Sequence, residues 1–283
     1  MAENLYKKIT NPELYPDGVE PYPRVQELNE WVNEEVAKVK KRSVKWLSEF
    51  YFHRQENRPR YIDSNSFFTP ADGVIMDARE KVNAKDNLIE VKGCHLTLQD
   101  LFQDNTLQGD FLIVSVFMTF YSQHINYMPY NCSCRHYTEL PPISSYNKPM
   151  LAVEKDLLNG VINPEFQELY LHKNNREISE CYSSKLDQEF YIIRIGDYDV
   201  DTMINFVQKD GLLPTPILQN TAFGKIQYGS QCILAIPLYE DGIKFKLRSE
   251  CKIGNVVKCR RTPIVQVCWN ESYKQGEVEH VED

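Results

Sequence analysis

The chain has 283 residues, with 32 Lys and Arg against 40 Asp and Glu, which gives a formal net charge of −8. Hydrophobic residues make up 42% and charged residues 25%, a composition typical of globular proteins and unlike that of disordered, collagen-like or membrane chains. The length suits one large domain or two small ones. The acidic balance argues against general nucleic-acid binding, which requires a basic face.

The N-terminal residues and the cysteines indicate a compartment. Residues 1–8 contain no apolar core, so no secretory signal peptide is expected. The eight cysteines include no CxxC pair, and Cys132 and Cys134 have no partner motif at zinc spacing. The chain is therefore interpreted as a cytoplasmic protein with reduced, partly buried thiols, and a peripheral position on a membrane stays open.

The first elements are an irregular lead-in and a helix. Residues 1–24 are rich in Pro and Tyr, whereas residues 25–53 carry apolar side chains at helical spacing and predict one long helix. Basic residues in its middle lie close in sequence to Trp46 and Phe50. Such a helix could rest on an anionic membrane surface. The favoured alternative is a helix packed on its own domain with a solvated basic face.

From residue 61 onward, short strand-like runs alternate with turns. They include an apolar stretch, Phe111–Phe120, too short for the roughly 20 residues that span a bilayer and therefore predicted to be a buried strand. A short helix is predicted over Thr97–Phe102, with Thr97 as its cap. Residues 154–189 are expected to be helical or looped, and the acidic residues 270–283 to be disordered.

These elements predict an α+β fold in which N-terminal helices precede a strand-rich body. We divide the chain into an N-terminal helical region at 1–60, a main domain at 61–269 and an acidic tail at 270–283. The sequence contains no GxGxxG, Walker A, GxSxG or HExxH motif, and its six histidines are never paired at ligand spacing. Metal and nucleotide chemistry therefore have no support in the sequence.

Four short segments carry the main functional signal, and no single one is specific. They are Thr69–Ile75, Lys92–Leu98, His124–Pro129 and Phe223–Gln231. In this order and at these separations they resemble the phosphatidylserine decarboxylase family of pyruvoyl enzymes. That family carries a PxDG turn, a KG segment, an HxxHMP segment and a late GS[ST] self-cleavage site. The resemblance runs from about Phe67 to Phe245, and it implies a strand-rich decarboxylase core.

The resemblance implies self-cleavage between Gly229 and Ser230. The Ser230 hydroxyl would attack the Gly229 carbonyl and the acyl group would shift from N to O. Elimination and hydrolysis would then leave a pyruvoyl group, derived from Ser230, at the start of the new chain. Decarboxylation of an amino acid leaves a carbanion that needs an electron sink, and a pyruvoyl group joined to the substrate amine as a Schiff base is one such sink.

The resemblance also assigns roles to three other residues. Asp72 would help to activate Ser230, although Pro-x-Asp-Gly is also ordinary turn chemistry. His124 would lie near the substrate carboxylate or transfer a proton; the alternative is a core histidine. Tyr127 stands where the family has its second histidine, the expected base, and a tyrosine with a pKa near 10 is a poor base. Either Tyr127 acts with help, a histidine substitutes for it, or cleavage is slow or absent.

The substrate is left open between phosphatidylserine and a related soluble amino acid. Residues 244–248 would form a strand with three cations on one face, suited to an anionic lipid surface or to a solvated sheet edge. A small-molecule substrate and no nucleic acid are expected, and the sequence does not decide whether the chain forms a homo-oligomer. The alternative function is a non-catalytic homologue, a scaffold or binding module that no longer self-cleaves, which Tyr127 and Gln231 motivate.

Overall fold

A computed structural model describes residues 22–54, 56, 58, 60–91, 94–141, 149–163, 171, 173–196, 203–206, 214–227 and 231–269. Two helical segments follow a first short strand, β1 (Gln26–Glu27). Helix α1 covers 28–39 and helix α2 covers 44–51; each begins with an α-helical turn and contains a π-helical turn. The single helix predicted over 25–53 is therefore wrong in its continuity. The chain turns at 40–43, and the Ser43 side chain accepts a hydrogen bond from the Trp46 N–H at 3.2 Å to start α2.

The main body is a nine-stranded antiparallel sheet with the order β1-β16-β3-β6-β14-β10-β9-β8-β12. Its remaining strands are β3 (Gly73–Asn83), β6 (Asp110–Phe117), β8 (Cys132–Leu140), β9 (Arg176–Ser183), β10 (Gln188–Ile195), β12 (Thr215–Ile217), β14 (Gln231–Leu238) and β16 (Asn255–Val257). The strand-rich α+β class predicted from the sequence is confirmed.

Three smaller sheets complete the fold. Their orders are β11-β13-β7, β15-β17-β2 and β4-β5. The strands are β2 (Ser66–Phe68), β4 (Ile89–Val91), β5 (Cys94–Leu96), β7 (Ile125–Tyr127), β11 (Met203–Asn205), β13 (Ala222–Ile226), β15 (Lys244–Leu247) and β17 (Pro263–Cys268). In the edge strand β15, Lys244 and Lys246 are exposed and Phe245 is buried, as the alternation predicts.

Both faces of the large sheet are buried, because the side chains alternate between two hydrophobic clusters. On β14, Ile233 and Ala235 pack in the cluster that also contains Leu28 and Trp31 of α1. The alternating residues Cys232, Leu234 and Ile236 pack in the second cluster, beneath the small sheet β15-β17-β2. The N-terminal helix therefore packs on its own domain, which was the favoured interpretation of its sequence.

Two other predictions have clear outcomes. Helix α3 (Leu98–Phe102) has the predicted cap: Thr97 accepts from the Asp100 N–H at 3.1 Å, while Asp100 accepts from the Thr97 N–H at 2.9 Å. The expectation of helix or loop over 154–189 is wrong for its second half. Helix α4 (Pro149–Leu158) ends early, and β9 follows as a strand with a polar, yet buried, sequence. Its buried Glu177 forms an ion pair with Arg194 on β10, a pairing that residue periodicity does not show.

The predicted boundaries at 60/61 and 269/270 stay predictions, and residues 270–283 lie outside the described residues. Within the described ranges, no helix is long and apolar enough to cross a membrane. Seven cysteines there are free thiols, and six of them are buried.

Candidate active site

The turn that carries Asp72 lies at one end of the large sheet. The Thr69 hydroxyl donates to the Ala71 carbonyl at 2.7 Å and closes the turn. Gly73 then begins β3 directly against β6, where a Cβ at residue 73 would lie 2.0 Å from the carbonyl oxygen of Phe117. Only glycine permits that approach, so this residue fixes where the Asp72 side chain is presented.

Asp72 is buried, at 3% exposure, and is held by three hydrogen bonds. The Arg58 guanidinium donates to both carboxylate oxygens, with the Nη1–Oδ1 distance at 2.6 Å, and the Cys259 N–H donates at 2.7 Å. Burial alone would raise the pKa of Asp72, but the charge and hydrogen bonds of Arg58 hold the pKa below its usual value. Asp72 is therefore an anion, and both of its carboxylate oxygens already accept hydrogen bonds.

Arg58 is a site residue that the sequence did not reveal. It lies on an irregular segment before β2 and carries no motif, yet it reaches both Asp72 and, at 3.1 Å, the Cys259 carbonyl oxygen. Glu56 forms a second ion pair with it at 2.7 Å. The pair of Arg58 and Asp72 thus ties the 69–73 turn to the loop that follows β16.

Tyr127 is brought to this turn, at the end of β7. Its N–H donates to the Pro70 carbonyl oxygen at 3.0 Å, and its ring packs with Cys259 in a small buried cluster. Burial raises the pKa of Tyr127; the charges of Cys259 and Asp72 add to the rise, while Arg260 and Arg58 oppose it. The phenol is therefore protonated at neutral pH, a state that can donate a hydrogen bond but cannot act as a strong base.

His124 is completely buried and lies apart from the Asp72 cluster. Its ring stacks on Phe52 with centroids 4.0 Å apart, and its Nε2 lies 2.9 Å from the Thr119 carbonyl oxygen. Burial lowers the pKa of His124 to about 4, so the ring is neutral at pH 7. A carbonyl can only accept, so Nε2 carries the proton and Nδ1 has a bare lone pair. Among the described residues, Nδ1 has no hydrogen-bond partner.

Gly229 and Ser230 lie outside the described residues, but the next residue, Gln231, begins β14. Gln231 pairs with Phe117 at the end of β6, and Phe117 pairs with Val74 at the start of β3. The start of β14 and the Asp72 turn therefore lie at the same end of the large sheet. On the face opposite to Gln231, Cys232 contributes to the rise in the pKa of the Cys259 thiol.

A sequence model of the phosphatidylserine decarboxylase family matches residues 48–262 of the chain. The chain belongs to the phosphatidylserine decarboxylase family. A search of curated proteins found no match. The family match includes the second half of α2, the Asp72 turn, the Tyr127 strand and the whole of β14, so it covers every residue of the four sequence segments.

One recess of the structure lies beside Gln231. Its polar lining includes Asp77, Ser115 and Gln231, and its apolar walls include Leu171, Leu98 and Leu101. The Gln231 side-chain amide donates to the Ser115 hydroxyl, which fixes that side chain in the recess. Within the described ranges, no three His, Cys, Asp or Glu side chains come together as metal ligands.

The structure brings two of the predicted site residues, Asp72 and Tyr127, close together. His124 lies elsewhere at the same end of the large sheet. In the described part of the chain no contact links His124 to Asp72. Sequence reasoning missed Arg58 and Cys259, which supply all three hydrogen bonds to Asp72.

Proposed function

We propose that this member of the family is a self-processing, pyruvoyl-dependent decarboxylase with Ser230 as the nucleophile and Gly229 as the residue whose carbonyl is attacked. One observation carries the proposal: the Asp72 turn and the start of β14 lie at the same end of the large sheet. The family match supports the class of reaction. The substrate is phosphatidylserine or a related amino acid.

The chain's own residues would divide the work as follows. Asp72, held by Arg58, fixes the turn and supplies negative charge at the processing site. Tyr127 is protonated, so it would donate a hydrogen bond to the oxygen that gains charge during acyl transfer. His124 is neutral and has the free lone pair that a base requires.

A pyruvoyl group formed from Ser230 would supply the electron sink once joined to the substrate amine. The surroundings of Gln231 fit such a group: the residue is completely buried, and the recess beside it is narrow and mostly apolar. Burial of this kind excludes water and strengthens electrostatic effects during decarboxylation.

The deciding measurement is the mass of the purified chain under denaturing conditions. We expect two fragments that meet between residues 229 and 230, the smaller one lighter than its serine form by one ammonia. Ser230→Ala should give one intact chain and no CO2 release from phosphatidylserine. Ser249→Ala, a serine outside the site, is the matched control and should process normally. CO2 release that survives Ser230→Ala would refute the proposal.

A second function is favoured by two specific observations: Arg58 engages both oxygens of Asp72, and Tyr127 replaces a base with a donor. Under this alternative the chain is a non-catalytic homologue that stays uncleaved. A single intact species without a carbonyl trapped by borohydride would support it. Tyr127→His then becomes informative, because cleavage in that variant would locate the defect at residue 127.

The lipid and soluble substrates make different demands on the surface. On α2, Phe50 is 63% exposed and the Lys45 side chain is 81% exposed, while β15 presents Lys244 and Lys246. We propose that these groups bring the protein to anionic bilayers. Sedimentation with vesicles containing phosphatidylserine should be lost in Phe50→Ser, and Phe206→Ser, at another exposed aromatic, should leave it unchanged. Equal sedimentation of both variants would favour a soluble substrate.

A further inference from the structure

Among the residues that the structure describes, Arg176, the first residue of β9, has no carboxylate partner although it is a buried cation. The described chain has three buried arginines: Arg58 pairs with Asp72, and Arg194 pairs with Glu177. Arg176 is 0% exposed, and within the described ranges its side chain makes one hydrogen bond, from Nη1 to the Leu171 carbonyl oxygen at 3.1 Å. Burial lowers the pKa of Arg176 to about 10 and Asp100 opposes that shift, so the side chain remains charged at pH 7.

Two donors of Arg176 are left over. Nε and Nη2 are both buried and have no hydrogen-bond partner among the described residues. These two N–H groups share one edge of the planar guanidinium and point in parallel, which is the arrangement that binds two oxygens of one carboxylate or phosphate. A buried donor without a partner costs about 1–3 kcal/mol, and more when it is charged. An arginine in this state is therefore suited to receive an oxyanion.

Arg176 lies near the recess beside Gln231. Arg176 pairs with Ile195 across β9 and β10, and Ile195 pairs with Gln231 across β10 and β14. Residues that lie opposite one another in a sheet share a face, and two strand spacings amount to roughly 10 Å. Leu171, which accepts from Arg176, also lines the recess beside Gln231. Arg176 thus lies on the recess side of the sheet, within side-chain reach of the lining.

We propose that Arg176 is a specificity-determining residue that binds a phosphate oxyanion of the substrate in the recess beside Gln231. The inference rests on the proposed function, because it needs a substrate bound at the group formed from Ser230, next to Gln231. The carboxylate that leaves as CO2 is a poor ligand for this role. A fixed cation would stabilise that charge in the ground state more than in the transition state, and so slow the reaction. An oxyanion that keeps its charge throughout, such as a phosphodiester, carries no such penalty.

The first test measures binding of inorganic phosphate and does not depend on activity. The melting temperature of the full chain is followed against phosphate concentration at constant ionic strength, with sodium chloride as the comparison. Arg176→Met should abolish the response, and Arg176→Lys should weaken the apparent affinity by about tenfold or more, since a charge-assisted hydrogen bond contributes 1.5–3 kcal/mol. Arg42→Met, which removes an exposed arginine, should respond as the wild type does.

Three results would overturn the proposal. One is an equal phosphate response in the wild type and Arg176→Met. If Arg176→Met fails to fold, an unchanged affinity in Arg176→Lys is equally decisive. The third is phosphate binding by the uncleaved Ser230→Ala chain but not by the cleaved protein, because the carboxylate released at Gly229 would then be the ligand of Arg176.

The second test separates a lipid headgroup from a soluble phosphate ester. Cleaved wild type and Arg176→Lys are assayed with phosphatidylserine vesicles, glycerophosphoserine and free serine. Arg176→Lys should raise the KM for both phosphate-bearing substrates with little change in kcat, and should leave serine turnover unaffected. An equal effect on serine would refute a phosphate role. Activity on vesicles alone would assign the oxyanion to a lipid headgroup. If no substrate is turned over, the proposed function fails while the phosphate titration still decides the role of Arg176.

Discussion

Replacing Arg58 with methionine should destabilise the protein strongly, because it leaves the Asp72 carboxylate buried with one hydrogen bond in place of three. Each lost charge-assisted bond contributes about 1.5–3 kcal/mol, and breaking a buried pair typically costs about 3–5 kcal/mol. Arg58 is 3% exposed and Asp72 is also 3% exposed, so water cannot replace the missing donors. We therefore expect a loss of about 3–5 kcal/mol in the free energy of unfolding at pH 7.

The assay is urea denaturation of Arg58→Met, Asp72→Asn and the double variant. The double-mutant cycle should give a coupling energy of at least about 2 kcal/mol, because each single variant leaves the other side chain buried without its partner. The loss in Arg58→Met should shrink at acid pH. Without Arg58, burial raises the folded pKa of Asp72 above its unfolded value near 3.9, so stability falls as pH rises from that unfolded value through the raised folded pKa. Arg79→Met is the matched control: its ion pair with Asp77, at 3.0 Å, is partly exposed and should contribute less than about 1 kcal/mol.

A loss below about 1 kcal/mol in Arg58→Met, or a loss independent of pH, would refute this reasoning. Either result would mean that Asp72 is protonated or solvated in the native protein. In that case the role proposed for Asp72 in self-cleavage would be wrong, because a neutral Asp72 could not supply negative charge.

Three further changes have definite expected results. Burial raises the pKa of Glu154 to about 8, so Glu154 ionises at lower pH in the unfolded chain, and wild-type stability falls between pH 4.5 and 8. The total loss is at most roughly 5 kcal/mol, and thermal melts of Glu154→Gln across that range should lack it. Burial gives His124 a folded pKa of about 4, so wild-type stability falls by at most roughly 3 kcal/mol as pH drops from 6.5 to 4. If His124→Asn shows the same dependence of stability on pH, His124 is not a buried neutral histidine. Gly73→Ala should cost about 2 kcal/mol or more, because its Cβ meets the Phe117 carbonyl; a wild-type urea midpoint would refute that contact.

The parts of the fold that could be predicted from sequence are those in which local pattern and burial agree. Thr97 and Asp100 form a capping box at the expected place, and the apolar run 111–117 is a central strand. Likewise, the alternation in β15 matches its exposed and buried faces. In each case the residues that decide the structure are neighbours in the chain, so no knowledge of the partners was needed.

The errors arose where distant partners decide. The buried charges of β9 conceal a strand, because Glu177 is neutralised by Arg194 on β10. The break between α1 and α2 is a local exception, because it depends on a single serine cap within an otherwise periodic sequence. At the site, Asp72 and Tyr127 were found through motif order, whereas Arg58 was not, since nothing local distinguishes it from Arg54 or Arg60. Long-range ion pairs leave no period in a sequence.

The hydrogen bonds around Asp72 also set a condition on when the site can exist during synthesis. The Cys259 N–H that binds Asp72 comes from 187 residues further along the chain, and the Cys259 carbonyl that binds Arg58 from 201 residues further. Moreover, β1 joins the large sheet only through β16 in the described chain. A ribosome that has just made residues 229 and 230 therefore carries a chain in which Asp72 still lacks its backbone donor. The Cys259 donor becomes available only after the loop at 258–262 has emerged, so the proposed self-cleavage would have to wait until that loop is made.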